Sequence, residues 1–248
     1  MKTESQPSNA FTLTELLVVI AVVVLLVALR LPALALTKEK SKQIACSNNC
    51  KQMGLASRTY SDNQPDGSYA GTTSSGNDSL QWIYPIYIND LKVFICPATH
   101  NYITNRPNGV PNLGICAKLK DMAGQSYEVN GWYLGGFVGL MDDVKKTYAT
   151  VNSYALRANH GYYNLKGMRP GPANTFIIMD ADERVESIPG KRYADGAYQN
   201  FPDKTDNHGA SGNNVAFCDG HVEFVKAINW RYRITISEDG TFDVPPGY

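Results

Sequence analysis

This sequence lacks an excess charge of either sign. Its 23 basic and 23 acidic side chains cancel, and no long block of lysine or arginine interrupts it. The electrostatic footprint of a nucleic-acid binder is therefore missing, and no nucleic-acid partner is expected. No self-similar repeat of about 20 to 50 residues is visible, which sets solenoids and propellers aside. Polar residues are missing altogether from 16 to 29. What is present suits one sizeable core with an appendage: 248 residues, 43% of them hydrophobic. The 21 Gly, 13 Pro and 15 Tyr, set among Asn, Ser and Thr, read as the turns and half-buried strands of an irregular β-rich, extracytoplasmic domain.

The apolar segment sets the organisation. From Phe11 to Leu29 there are 19 residues, which as a helix at ~1.5 Å per residue give a rod of roughly 28 Å, close to the thickness of a bilayer's hydrocarbon core. Beyond Leu36 the pattern turns polar, yet Ile44 with Leu55, and Cys46 with Cys50, Met53 and Tyr60, recur at helix-compatible intervals. The spacing predicts one helix running out of the membrane to about residue 60, bent at Pro32 by the loss of a backbone hydrogen bond, and laying a mixed stripe on a globular domain. Three organisations fit: a plain single-pass anchor, a Sec signal peptide cut after Ala33-x-Ala35, or a polar leader, "MKTESQPSNA", removed before Phe11. The apolar stretch exceeds the usual signal-peptide length, which disfavours the second.

Glu15 decides among them. An acid at membrane depth costs roughly 2.5 to 3.5 kcal/mol on lenient insertion scales, so it needs a charged partner. A cut before Phe11 creates an α-amino group four residues upstream of Glu15, one helical turn away on the same face. In an assembly, the carboxylate of one subunit meeting the amine of another fixes axial register. "FTLTELLVVI" resembles the cleavage and methylation segment of type IV prepilins and of type II secretion pseudopilins. The resemblance implies cleavage between Ala10 and Phe11 by a prepilin peptidase, N-methylation of Phe11, a register role for Glu15 and a helix bend at Pro32. Ala10 stands where that family has glycine.

The remainder is punctuated and strand-rich. Residues 82–88 suit a short helix or strand and 91–96 a strand, and "SYEVNGWY" and "TFIIMDADERV" are further strand candidates. The clearest local signal is "NNVAFCDGHVEFV". Alternation on either side of Asp219-Gly220 predicts strands at 214–218 and 221–225 joined by a tight two-residue turn. The same stretch resembles the C-terminal motif of the prepilin-type processing-associated domain, a His, nine residues, then Asp-Gly. Here ten residues separate His208 from Asp219. "CSNNCKQMGLASRTY", "FICPATH" and "SYEVNGWY" resemble other segments of that family, so the likeness covers nearly the whole chain.

Candidate chemistry is sparse. In an oxidising compartment five cysteines allow two bridges with one left over; Cys46, Cys50, Cys96 and Cys116 are the candidates, with Cys218 the fifth and the pairing left open. A zinc reading of "CSNNC" lacks a second pair at ligand-like spacing, which favours buried or bridged cysteines. His208, Ser211 and Asp219 supply the residue types of a hydrolytic triad without a nucleophile elbow, and the expectation is that His208 and Asp219 bond loop backbone and close the hairpin around Gly220. His100, His160 and His221 are read as satisfied or exposed. Asp180, Asp182, Asp195, Asp203 and Asp206 are hard oxygen donors in loops, and the pseudopilin resemblance implies a structural Ca²⁺ there. No EF-hand spacing is present, solvated loop acids are the favoured reading, and no ligand set is named.

The expected fold is α+β and pilin-like: a leader at 1–10, a helix at 11–60 that is transmembrane over 11–35, and an antiparallel, β-rich domain at 61–248. The expected function is structural and not enzymatic, a subunit of a type II secretion pseudopilus or type IV pilus-like filament. Its partners are prepilin peptidase, other copies or pseudopilin subunits, and the bacterial inner membrane, with the C-terminal domain periplasmic. Two rivals are a membrane-anchored, non-polymerising module that binds envelope or polysaccharide through "GWYLGG", "GYYN" and "YQNF", and a secreted hydrolase starting near Leu36.

Overall fold

The computed structural model describes residues 12–117, 120–134, 142–157, 159, 163–181, 201–202 and 206–240. A single helix, α1, spans Leu13–Asn63. Its start is fixed by a capping box: Thr12 Oγ1 accepts from the Glu15 backbone N–H (3.2 Å), and a Glu15 carboxylate oxygen accepts from the Thr12 N–H (2.9 Å). α1 runs through position 32 as one helix, so the proline expected to bend it does not end it. The chain divides into two compact units between Ser41 and Lys42. In the first, the large apolar side chains from Leu13 to Leu36 are exposed, and the helix is long and apolar enough to cross a membrane.

In the second unit the helix buries one face. Cys46, Cys50, Met53 and Ala56 enter the core, at the spacing that puts residues on one side of a 3.6-residue turn. Gly54 allows the close approach, because a Cβ there lies 3.1 Å from the Ala216 side chain. The stripe ends in hydroxyls: Ser57 Oγ donates to Tyr69 O (2.6 Å) and Ser61 Oγ to Gly67 O (2.7 Å), while the Tyr60 ring meets Trp82 edge-on. Ile44 and Leu55 were expected in the mixed stripe but are 54% and 51% exposed. At ~100° per residue they fall on the side opposite Cys46. Both sets are helical, and only one faces the sheet.

That sheet is antiparallel, in the order β1(Tyr127–Val129), β4(Phe176–Asp180), β5(Gly212–Phe217), β6(Val222–Lys226). A two-stranded ribbon pairs β2(Trp132–Tyr133) with β3(Val144–Lys145), and a short helix, α2(Tyr148–Ser153), follows. Every residue of β4 and β5 is buried, as for strands covered on both faces. One face carries Ile177, Ile178 and Ala216 in the same cluster as the α1 stripe. The other packs Phe176, Met179, Val215 and Phe217 against Trp230 and Ile234 of a last helix, α3(Ala227–Glu238). A register irregularity between Phe176 and Ile178 shifts the alternation along β4. The architecture is therefore α+β, as expected, with two helices added to the strands anticipated after residue 63.

Two local expectations change. Residues 91–96 are not a strand: Leu91–Phe94 forms a 3₁₀ turn whose N-cap, Asp90, accepts from the Lys92 N–H. Between β5 and β6, the Phe217–His221 pair closes a turn of three residues, Cys218 to Gly220. Phe217 O accepts from Gly220 N (2.8 Å), Phe217 N donates to His221 O (3.0 Å), and Gly220 sits at φ +88°. This is a three-residue connection closed by a left-handed glycine, which replaces the tight two-residue turn.

Two side chains of opposite charge, Lys146 and Glu238, are buried where β3, β4 and α3 meet. Lys146 Nζ donates to Phe176 O (3.0 Å) and lies 5.2 Å from the Tyr133 ring centre, and Ser237 Oγ accepts from Phe176 N (2.7 Å). Burial holds Lys146 down at about 8 and pushes Glu238 up to about 7, each offset by the other's charge. The folded chain binds the Glu238 proton more tightly than the unfolded chain from about pH 4.5 to 7, so stability falls as pH rises through that window. It binds the Lys146 proton less tightly from about pH 8 to 10.5, so stability recovers there. We expect denaturant unfolding of the full chain in detergent to show this minimum near neutrality. Lys146→Met alone should cost about 3 kcal/mol by stranding a buried carboxylate, and Lys146→Met with Glu238→Leu should recover most of that loss and flatten the profile.

Candidate functional site

Four distant segments converge where α1 meets the end of the sheet. Cys46 comes from α1, Cys96 from the turn after Leu91–Phe94, Asp180 is the last residue of β4, and His208 precedes the 3₁₀ turn into β5. One donor atom from each lies within 4.8 Å of all the others. Cys46 Sγ donates to Asp180 Oδ1 (2.8 Å), His208 Nε2 lies 3.6 Å from Asp180 Oδ2, and Cys96 Sγ is 3.5 Å from His208 Nε2. The site is closed: both cysteines and Asp180 are fully buried, and the His208 side chain is 5% exposed.

Each member is held by neighbours. Asp180 Oδ2 accepts from both the backbone N–H (2.7 Å) and the side-chain amide (3.0 Å) of Asn214. The Tyr127 hydroxyl lies 3.2 Å from Cys46 Sγ and accepts from Asn49 Nδ2 (3.2 Å). At Cys-Pro, the Ala98 N–H points at Cys96 Sγ (3.5 Å), while Thr99 closes the turn through its N–H (3.0 Å) and Oγ1 (2.9 Å) onto Cys96 O. Burial pushes the Cys46, Cys50 and Cys96 thiols and the Tyr127 hydroxyl up. For His208, burial acts to lower the value, but the Cys96 hydrogen bond and the Asp180 charge outweigh it and the net shift is upward. The arrangement thus sets a carboxylate, an imidazole and two thiols facing one another, with donors behind the anionic members.

The other sequence candidates fall elsewhere. Ala10 and Phe11 lie outside the described residues. Glu15 is met by Thr12, whose hydroxyl also donates to its carboxylate (2.6 Å). All five cysteines are free thiols. Cys50 Sγ faces Asn214 O (4.0 Å), and Cys116 Sγ donates to Tyr127 O (3.2 Å) beside Asp78 and Glu128. His208 does not close the hairpin with Asp219; it belongs to the buried cluster. Asp219 does brace the turn, its Oδ1 accepting from the His221 N–H (3.0 Å) and pairing with His221 Nδ1 (2.6 Å). Ser211 Oγ donates to His208 O (3.2 Å), so His208, Ser211 and Asp219 form no triad. His100 pairs with Asp121, and His160 lies outside the described residues. Of the five loop acids, Asp180 and Asp206 are buried and Asp182, Asp195 and Asp203 lie outside the described residues. Asp180 sits among sulfur and nitrogen donors, which is not the all-oxygen surroundings of a calcium ion.

The cluster has no local signature next to "CSNNC", because its four members are scattered from 46 to 208 and only the fold joins them. The signals were nevertheless present. The sequence singles out "CSNNC", the Cys-Pro turn, the acid ending "FIIMD" and His208 for separate reasons.

Thiol accessibility gives a direct test of this packing. In the reduced native chain we expect half-buried Cys116 to be alkylated first, and Cys46, Cys50, Cys96 and Cys218 only on denaturation, as mass mapping of timed iodoacetamide labelling will read. Compared with protein-family models, with curated proteins and with solved structures, this chain matches none, and its chemistry is read from its own residues.

Proposed function

We propose that this chain is a membrane-anchored, pilin-like structural subunit that polymerises after its leader is removed. The observation that carries the reading is α1 itself: one helix whose first part exposes apolar side chains all round and whose later part builds the core of a globular body. A helix apolar on every side must be covered by lipid or by other apolar helices. Such a segment suits storage in the inner membrane and release into a filament core, where helices bury one another. The body then lies on the periplasmic side and decorates the filament, in type II secretion or as a surface pilus.

The N-terminus supplies the register. Thr12 turns the Glu15 carboxylate back over the first turn of α1. A prepilin-peptidase cut between Ala10 and Phe11 places a new amine one residue before Thr12. Methylation of that amine keeps its charge. The Glu15 carboxylate then pairs with it, in its own chain or in the neighbouring one, and a subunit out of register leaves a buried charge unmet.

Two measurements test the reading. We expect protein isolated from its native membrane to begin at N-methylated Phe11. We expect Glu15→Ala to be cleaved and retained in the membrane but lost from sheared filaments. A mature chain starting near Leu36, or one still carrying Met1, overturns the proposal, as does a Glu15→Ala subunit that enters filaments at the wild-type level.

A further inference from the structure

We propose that Cys46, Cys96, Asp180 and His208 form a zinc site that clasps α1 to the end of the sheet. The donor set is two sulfurs, one imidazole nitrogen and one carboxylate oxygen, one from each residue. Thiolate with imidazole selects zinc over calcium or magnesium, and four protein ligands in a closed pocket describe a structural rather than a catalytic ion. A tetrahedral ion with bonds of ~2.0–2.3 Å holds its ligand atoms roughly 3.3–3.8 Å apart. The pairs Cys96 Sγ to His208 Nε2 at 3.5 Å and His208 Nε2 to Asp180 Oδ2 at 3.6 Å already have that separation. The Cys46 Sγ to Asp180 Oδ1 pair, at 2.8 Å, is closer, because a thiol proton bridges the two.

The surroundings fit the same ion. Metal ligands are oriented by outer hydrogen bonds, and the three anionic ligands have them. Asn214 gives two donors to Asp180, the Ala98 N–H points at Cys96 Sγ, and the Tyr127 hydroxyl lies beside Cys46 Sγ. Binding exchanges protons for metal without any redox step. The Cys46 and Cys96 thiols release their protons to solvent, two Zn–S bonds form, and His208 coordinates through Nε2 as the neutral ring. Two thiolates and one carboxylate carry one more negative charge than the dication, and the Asn214, Ala98 and Tyr127 donors face that excess. A Cys46–Cys96 disulfide is the competing use of the two sulfurs; it leaves Asp180 and His208 with no shared partner.

The site ties three places in the sequence to β4, and α1 is one of them. Zinc therefore resists any rotation of the buried stripe about the helix axis. This property belongs to the isolated chain and is read whether or not the protein polymerises.

The experiment uses the full chain, purified in detergent with a phosphine reductant and no chelator. Mass spectrometry of the metal content should give about one zinc per chain. Replacement by Co²⁺ should produce the sulfur-to-cobalt charge-transfer bands and strong visible bands of a tetrahedral thiolate site. Cys96→Ser and His208→Ala should lose the metal, Asn214→Ala should weaken it by roughly 10-fold, and Cys116→Ser, in the neighbouring cluster, should retain it. The wild-type cobalt spectrum needs no variant to fold. A folded, reduced chain that holds no zinc and gives no cobalt–sulfur bands overturns the proposal. So does a Cys46–Cys96 disulfide peptide recovered from protein isolated in its native compartment, or zinc that survives Cys96→Ser and is lost in Cys116→Ser.

Discussion

The buried carboxylate of Asp180 is the constraint on which the rest of this body depends. It stands at the end of β4, opposite Tyr127 of β1 and beside Asn214 of β5. A carboxylate taken out of water costs several kcal/mol unless donors replace its hydration. Those donors come from every side. β5 offers a backbone N–H and an amide, α1 offers Cys46, and the segment leading into β5 offers His208. No single element satisfies the acid alone, so its demand sets how the end of the sheet, the second part of α1 and the 3₁₀ segment before β5 fit together. Hydrophobic burial supplies the driving force for this packing but specifies geometry weakly. The directional bonds to Asp180 supply what the apolar contacts leave free.

The helix answers a second constraint with one continuous backbone. Its first part exposes apolar side chains all round, and its later part buries a narrow stripe made of small and sulfur-bearing residues. Cys46, Cys50, Gly54 and Ser57 let the axis come close to β5, where a larger side chain at 54 meets Ala216. Leucines at those positions favour the helix more strongly but hold the sheet further away, which pulls Cys46 back from Asp180. The choice of small residues is therefore part of the polar site as much as of the core.

These facts explain what was legible in the sequence. The long apolar helix, the hairpin at Asp219-Gly220 and the strands 127–129 and 176–180 are local signals: a run of apolar residues, a turn dipeptide, short β-branched and aromatic segments. The body-facing stripe was only half legible, because Ile44 with Leu55 and Cys46 with Cys50 are both helical series on opposite sides, and periodicity alone does not say which faces the sheet. α3 is not legible in the sequence, because "AINWRYRITISE" alternates like a strand while its burial comes from Trp230 and Ile234, one turn apart, against the aromatic face of β4 and β5. Residues 91–96 read as a strand because their apolar content outweighs the Asp90 cap that in fact starts a 3₁₀ turn. The buried cluster was illegible as a unit, since it depends on strand order, and the sequence does not display strand order.

The two acids that matter most in this chain pose the same physical problem in different places. Glu15 is met inside its own first turn by Thr12, through contacts three residues apart that form as soon as the helix does. Asp180 is met by Cys46, 134 residues away, and by Asn214, 34 residues away, contacts that exist only when the body has folded. A local solution leaves the Glu15 carboxylate ready to exchange its partner, because replacing Thr12 by an amine disturbs one turn of helix. A long-range solution fixes Asp180 in place, because replacing its partners disturbs several elements together. Under the filament reading this asymmetry is what such a subunit needs: a labile anion at the end that must find a neighbour, and a locked one in the body that must keep its shape while it does so.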